Sequence, residues 1–165
     1  MSKKAIDLDF SGTSFKKSEW PDGTLEQMSE DPVLALFDIR SQMPSDAFIY
    51  PSPVAGAHVR KSGTSRHSTR NGKRLSDATD FFVPWEYHME YLTLILMHED
   101  IGGMGIYTDM LFRGKLNGHC MFHIDCRPER EQWYAWREDR NDSLKYISFR
   151  YERKRAMEML MDRRG

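Results

Sequence analysis

One seven-residue stretch constrains this chain more than any other. From Cys120 to Cys126, the residues Cys120, Phe122, Ile124 and Cys126 alternate with Met121, His123 and Asp125. Alternation with period two marks a β-strand, because successive side chains leave opposite faces. One face is apolar and belongs in a core. The other sets an imidazole and a carboxylate side by side, which a packed strand tolerates only when the charges are compensated. A second stretch poses the same problem. Asp80 leads into Phe81-Phe82-Val83, and a carboxylate entering a hydrophobic strand needs a helix to cap, an arginine or a metal ion to offset its burial. The two cysteines offer no crosslink, since six residues along one strand separate their Cα atoms by roughly 20 Å. Free thiols fit synthesis in a reducing compartment.

Around these strands the punctuation predicts a mixed chain. Asp31-Pro32 is an N-cap and first-turn pair, and Val33, Leu36, Phe37 and Met43 follow at helical spacing, so a helix is expected over 32–43, stopping before Pro44. Ala47-Phe48-Ile49-Tyr50 is a short β-rich run ended by Pro51. From Ser52 to Arg74 the chain is rich in Gly, Ser and basic residues, the composition of a long loop, and long loops in compact domains tend to carry function. After Pro84, the residues Trp85, Met89, Leu92, Ile95 and Leu96 share one side of a helix ending near Asp100, where Gly102-Gly103 breaks it. Gly103 to Tyr107 reads as a further strand, joined to the Cys120 strand by a loop containing Gly114 and Gly118. From Arg127 onward there are 11 basic and 8 acidic residues, interleaved with Trp133, Trp136, Tyr146, Phe149 and Tyr151; one or two helices covering the sheet are expected there. Residues 1–30 are polar and without period, an irregular arm on the domain surface. The organisation is therefore an arm at 1–30, a domain at 31–136 and a helical extension at 137–165.

Composition excludes several classes of function. Lys+Arg 24 against Asp+Glu 25 over 165 residues leaves no basic field for nucleic acid. The longest apolar run, Tyr91 to Met97, is far short of the ~20 residues that cross a bilayer. Met1 to Phe10 lacks an apolar export core, so the expectation is a product made in the cytoplasm without a signal peptide. The C-terminal stretch 143–165, with 7 basic and 3 acidic residues, reads as a solvated helix face interrupted by Glu158 and Asp162.

Six histidines stand at 58, 67, 88, 98, 119 and 123. His88 and His98 have structural explanations, inside a helix and at its C-terminal end, where the dipole favours an imidazolium. His67 differs, following Ser65 in a polar loop ahead of Asp80. The pattern Ser65-x-His67, Gly72, Ala78-x-Asp80, Gly102-Gly103-Met104-Gly105-Ile106-Tyr107, Phe122-His123-Ile124-Asp125, Arg130 and Trp133 resembles the M15 family of zinc peptidases. These are D-Ala-D-Ala carboxypeptidases and peptidoglycan endopeptidases, many of them phage endolysins. The likeness covers roughly residues 32–136. It implies an α+β fold of the M15, hedgehog-like type, with a small antiparallel sheet carrying the metal on one face and helices packed on the other. By the same likeness, His67, Asp80 and His123 match the three zinc ligands.

Two imidazoles and a carboxylate make a site with a position left for water, and zinc there acidifies that water and polarises a carbonyl. A carboxylate is then needed to carry the proton. Asp125, on the same strand face as His123, is the first candidate; it equally suits the role of orienting a histidine ligand. Relatives place an acid where this chain has Cys120, and His119 and Asp109 are the alternatives. The thirteen-residue spacing from His67 to Asp80 exceeds the family's seven. Asn71-Gly72 is a turn signal able to absorb the difference, with Asp77 as a substitute ligand if it does not. The resemblance implies an arginine that holds a substrate carboxylate, for which Arg60 and Arg66 are candidates, and Tyr107 and Trp133 can line the cleft. The implied activity is hydrolysis of an amide bond in the peptide stem or cross-bridge of peptidoglycan, as a phage endolysin or virion-associated lytic protein reaching the wall after lysis or within a particle. Two rivals stand beside it. One is a non-catalytic virion structural or assembly protein that keeps the fold among other virion proteins; the other is a zinc peptidase acting on proteins or free dipeptides.

Overall fold

The computed structural model describes residues 3–51, 59–61, 63–110, 118–137 and 142–162. Three helices, α1 (Asp31–Ser41), α2 (His88–Met97) and α3 (Arg153–Asp162), accompany six strands: β1 (Tyr50–Pro51), β2 (Ala78–Pro84), β3 (Gly103–Tyr107), β4 (His119–Asp125), β5 (Glu131–Trp136) and β6 (Lys145–Ser148). The strands form one sheet in the order β1-β2-β4-β3-β5-β6. Residues 52–58 and Ser62 of the expected long loop, His58 among them, and Gly114 lie outside the described residues.

Local chemistry explains the helices. Pro32 sits in the first turn of α1, where its missing N–H costs nothing, and Val33, Leu36 and Ile39 are buried along one side. The helix stops ahead of Pro44, and the buried Arg40 guanidinium donates to the carbonyls of Met43, Pro44 and Ser45 at 3.3, 2.9 and 2.9 Å. That wraps the chain end back onto the helix. In α2, Tyr91, Leu92 and Ile95 are buried, and the Tyr91 hydroxyl donates to the Ala47 carbonyl.

The sheet departs from the all-antiparallel expectation: it is mixed, because β3 and β5 run parallel. The reason is combinatorial. β4 has β2 on one edge and β3 on the other, so the strand that follows it has no edge of β4 to return along. It pairs instead on the outside of β3, and two strands that both oppose β4 run the same way. Of the one or two helices expected after Arg127, the structure has α3, but ahead of it the chain forms the strands β5 and β6. Trp133-Tyr134-Ala135-Trp136 and Tyr146-Ile147 are aromatic and β-branched, suited to a pleated, half-buried surface. They alternate accordingly: Tyr134 and Ile147 pair on the core side.

One face of the sheet makes the main core. Phe81, Val83, Cys120, Phe122, Ile124, Met104, Ile106 and Tyr134 are buried there in one cluster with residues of all three helices. Residues 3–30 are irregular, as expected, but they do not merely lie on the surface. Ala5, Phe15, Trp20, Leu25 and Met28 join the same buried cluster. Phe10 and Phe15 pack against both Trp20 and Phe37 of α1, with ring centroids 5.0 to 5.7 Å apart. The segment is also stitched to the chain just before β2: Ser29 N–H donates to Ser76 O and Ser76 N–H to Gln27 O, both at 2.8 Å. Trp20→Ala should therefore destabilise the whole fold by about 3–5 kcal/mol. Urea unfolding followed by circular dichroism reads this directly, and a loss below 1 kcal/mol would make the segment an appendage.

Candidate metal centre

The second face of the sheet carries the polar residues, and strand register places them. Asp80 of β2 lies directly opposite His123 of β4, His123 opposite Gly105 of β3, and Gly105 beside Trp133 of β5. Directly opposed residues hold their Cβ atoms about 4.5–5.5 Å apart, so antiparallel pairing alone brings an imidazole and a carboxylate within reach. The neighbouring row runs Ala78, Asp125, Gly103. Glycine at both β3 positions makes room. A Cβ on Gly103 would stand 2.2 Å from Asp125 Oδ2, and one on Gly105 would stand 2.4 Å from the Trp133 indole. The carboxylate and the indole thus lie across the two β3 positions on that side that carry no side chain, with Tyr107 the next residue on the same face.

His67 comes from the loop and is fixed by backbone. Its carbonyl accepts from Arg60 N–H at 2.8 Å, and Thr69 N–H donates to Arg60 O at 2.8 Å. The Arg74 guanidinium ties the segment from below, donating to Ser68 O and Ser65 O, each at 2.9 Å. The thirteen-residue spacing from His67 to Asp80 is taken up by a turn. Arg70, Asn71 and Gly72 have φ of 49°, 56° and 82°, left-handed values that Asn and Gly accept most readily, and Arg74 N–H closes the turn onto Thr69 O at 3.1 Å. The chain then returns through Ser76 to β2, and Asp80 reaches His67.

Three ligand atoms meet. His67 Nε2 is 3.1 Å from Asp80 Oδ1 and 3.1 Å from His123 Nδ1, and His123 Nδ1 is 2.7 Å from Asp80 Oδ1. All three residues are buried, and together they could hold a metal ion. A tetrahedral ion at 2.0–2.1 Å from each donor spaces its ligands about 3.3 Å apart, so the two 3.1 Å separations open by about 0.2 Å and the 2.7 Å one by about 0.6 Å. The other nitrogen of His123 is also committed. Nε2 lies 2.9 Å from Asp125 Oδ2, and with its proton there the Nδ1 lone pair is left for the metal. Asp125 is fully buried and held by Arg127, whose Nε and Nη2 donate to its two oxygens at 2.7 and 2.6 Å. Arg127 also pairs with Glu131.

The electrostatics follow from this packing. Burial pushes the His123 imidazole down, but the Asp80 charge and the hydrogen bonds to Asp125 and Asp80 outweigh it and lift its pKa to about 9. Burial likewise pushes Asp80 up, and the charge and hydrogen bond of His123, with the hydrogen bond of His67, hold it well below the usual carboxylate range. Asp125 is lowered too: burial opposes ionisation, and hydrogen bonds from His123 and Arg127 overcome it. Without metal, a proton on His123 therefore does the work of a cation between two carboxylates.

The residues proposed from sequence divide clearly. His67, Asp80, His123, Arg60, Arg66, Tyr107 and Trp133 all line one pocket of about 380 Å³. Trp133 Nε1–H donates to Tyr107 Oη at 2.9 Å, and Arg66 pairs with Asp77 at 2.9 Å, which removes Asp77 as a substitute ligand. The proton carriers are placed differently. Asp125 sits behind His123 with its oxygens engaged, the geometry of an orienting partner. His119 stands on the same strand face, but four residues along β4, roughly 13 Å away at the strand rise, with its ring against Tyr50. Asp109 accepts from Arg137 N–H at 2.5 Å. Among the described residues, Asp80 is the only carboxylate lining the pocket. Arg127 and Tyr146 also line it and were not anticipated. Arg127 follows Asp125 by two residues, a spacing that could have suggested its fork; Tyr146 was hidden by the helical reading of β6. His88 and His98 lie outside the site, His88 stacked on Trp85 with centroids 4.3 Å apart and His98 Nε2 3.5 Å from Asp38.

Comparison of the chain with protein-family models, with curated proteins and with solved structures finds no match in any of the three.

Two measurements test the centre. His123, lifted above its ordinary 6.5, stabilises the metal-free fold fully below that value and loses this contribution as pH rises through about 9. The melting temperature in a chelator should fall across that window. With a saturating divalent metal it should not, because the ion replaces the proton; identical pH profiles with and without metal would count against the site. Gly103→Ala, by pressing on the Asp125 carboxylate, should cost about 1–3 kcal/mol and weaken metal binding in calorimetry, whereas an unchanged affinity would show that Asp125 does not orient His123.

Proposed function

We propose that this chain is a zinc-dependent hydrolase that cleaves an amide bond in the peptide part of peptidoglycan, of the M15 kind its motifs resemble. The convergence of His67, Asp80 and His123 at the wall of a pocket that also holds three arginines, two tyrosines and a tryptophan carries the reading. Two neutral imidazoles and one carboxylate are the donor set of a catalytic zinc site with a position open to water. Zinc bound there supplies Lewis acidity toward a carbonyl and toward water.

The remaining groups have roles their contacts suggest. Arg66, buttressed by Asp77, and Arg60 present cationic groups for a substrate carboxylate or carbonyl. Tyr107 receives a hydrogen bond from Trp133 on its oxygen, which leaves its own O–H to donate into the pocket. Burial pushes that phenol well above its ordinary pKa, so the proton stays in place at neutral pH. A donor held this way stabilises negative charge developing on a carbonyl oxygen. Trp133 lies over His123, ring centroids 5.2 Å apart, and Arg127 over Trp133 at 5.7 Å, which excludes water from that side of the metal.

A second reading, a non-catalytic virion structural or assembly protein with a structural metal site, is favoured by one observation. Asp125, the first-choice proton carrier, is spent on His123 and Arg127. Metal analysis and incubation with purified sacculi separate the two. Wild type should bind one zinc per chain and release muropeptides, and Asp80→Asn and His123→Ala should lose both. Asp125→Asn should weaken zinc binding about 10–100-fold. Zinc retained without release of fragments supports the structural reading, and activity on small D-amino-acid peptides alone moves the substrate away from the wall.

A further inference from the structure

A second depression, of about 540 Å³, adjoins the metal pocket. Trp133 and Tyr146 line both, so a ligand anchored at the metal can continue across them without leaving a wall. The continuation runs along the outer strands. Ser148 pairs with Trp133 and Tyr146 with Ala135 across β5 and β6, and the groove ends at Arg150 and Tyr151.

Its surface chemistry is unusual for a solvated edge. Tyr146 is 57% exposed and Tyr151 80% exposed, two large rings kept in water within the same groove. Tyr151 is backed by the Arg150 guanidinium, 5.5 Å from its centroid, and Tyr146 stands edge-on to Tyr107 at 6.4 Å. Rings braced in this way lose little conformational entropy when something lies on them. The charges between them cancel, with Glu129 and Glu131 against Arg130 and Arg150. Arg130 is turned to the Leu96 carbonyl at 3.2 Å and Glu131 to Arg127. A balanced groove selects against polyanions and against strongly basic peptides. What remains is a neutral ligand with flat apolar faces and hydroxyl or amide edges, for which Gln132 and Ser148 supply polar partners.

We infer that this groove is a saccharide subsite, holding neutral N-acetylated sugar of the same substrate whose peptide lies at the metal. The inference rests on the hydrolase reading above and names the part of the substrate that is bound but not cut. Sugar rings present C–H faces to tyrosine and tryptophan and polar edges to amides and hydroxyls, the combination this groove offers. A free stem peptide, lacking the sugar, would then bind the metal pocket alone and be a poorer substrate than the same peptide on its glycan.

The test uses the full-length zinc-loaded protein and chitotetraose, a neutral N-acetylglucosamine oligomer without peptide. Titration followed by NMR should show saturable binding with shifts at Tyr146, Ser148 and Tyr151. Tyr151→Ala should weaken it about fivefold, and Tyr151→Phe should restore it, because the ring and not the hydroxyl does the stacking. Tyr151 is exposed enough that neither change threatens the fold. No binding, binding indifferent to Tyr151→Ala, or displacement by a free stem tetrapeptide each overturns the inference. Zinc content and muropeptide release, measured on the same samples, report on the hydrolase reading separately. Sugar binding in a protein that never cleaves sacculi would sink that reading while leaving the groove a saccharide site, and cleavage without sugar binding would do the reverse.

Discussion

Everything polar on the second face of the sheet depends on one cross-strand pair, Asp80 against His123. Their burial together would be prohibitive for isolated charges, and the structure offsets it with successive layers. His67 arrives from the loop, Asp125 sits behind His123, and Arg127 closes the far side of Asp125. Each layer is satisfied by the next one outward, until Glu131 meets solvent. A divalent ion at the centre completes the same series with a stronger charge than a proton supplies.

The arrangement needs β3 to be nearly bare on that side. Gly103 and Gly105 give up the packing and backbone restraint that other residues would bring to a strand, and in return the Asp125 carboxylate and the Trp133 indole lie across the strand between the two rows. The parallel pairing of β3 with β5 puts Trp133 beside Gly105 and so beside His123. A sheet with β5 on any other edge would have left the metal pocket without that wall.

Much of this was legible in the letters. The alternation from Cys120 to Cys126 placed His123 and Asp125 on one face, and Asp80 ahead of Phe81 stood out because strands seldom carry an unpaired acid. Asn71-Gly72 announced the turn that reconciles a long spacing with a short distance in space. The role of Asp125 was left between two options because sequence spacing fixes a face but not which atom of an imidazole a carboxylate meets. The strands after Arg127 were missed for a different reason. Their charges resemble those of a solvated helix, and the preference of Trp133 to Trp136 for a sheet edge becomes decisive only once β4 has both its edges filled. Residues 3–30 were read as surface because their apolar positions follow no period; burial there is set by contacts with α1 and not by any periodic face of the segment itself.

The stitch between residues 27–29 and Ser76 has a consequence for how the protein is made. The aromatic rings at 10, 15 and 20 are synthesised well before the strand that Ser76 introduces, so during translation they can settle on α1 but cannot be locked. Closure has to wait for β2, and β2 in turn needs β4, some forty residues later, to pair with Asp80's strand. Long-range contacts of this kind slow folding, and they leave the rings at 10, 15 and 20 held only by α1 until the sheet is complete.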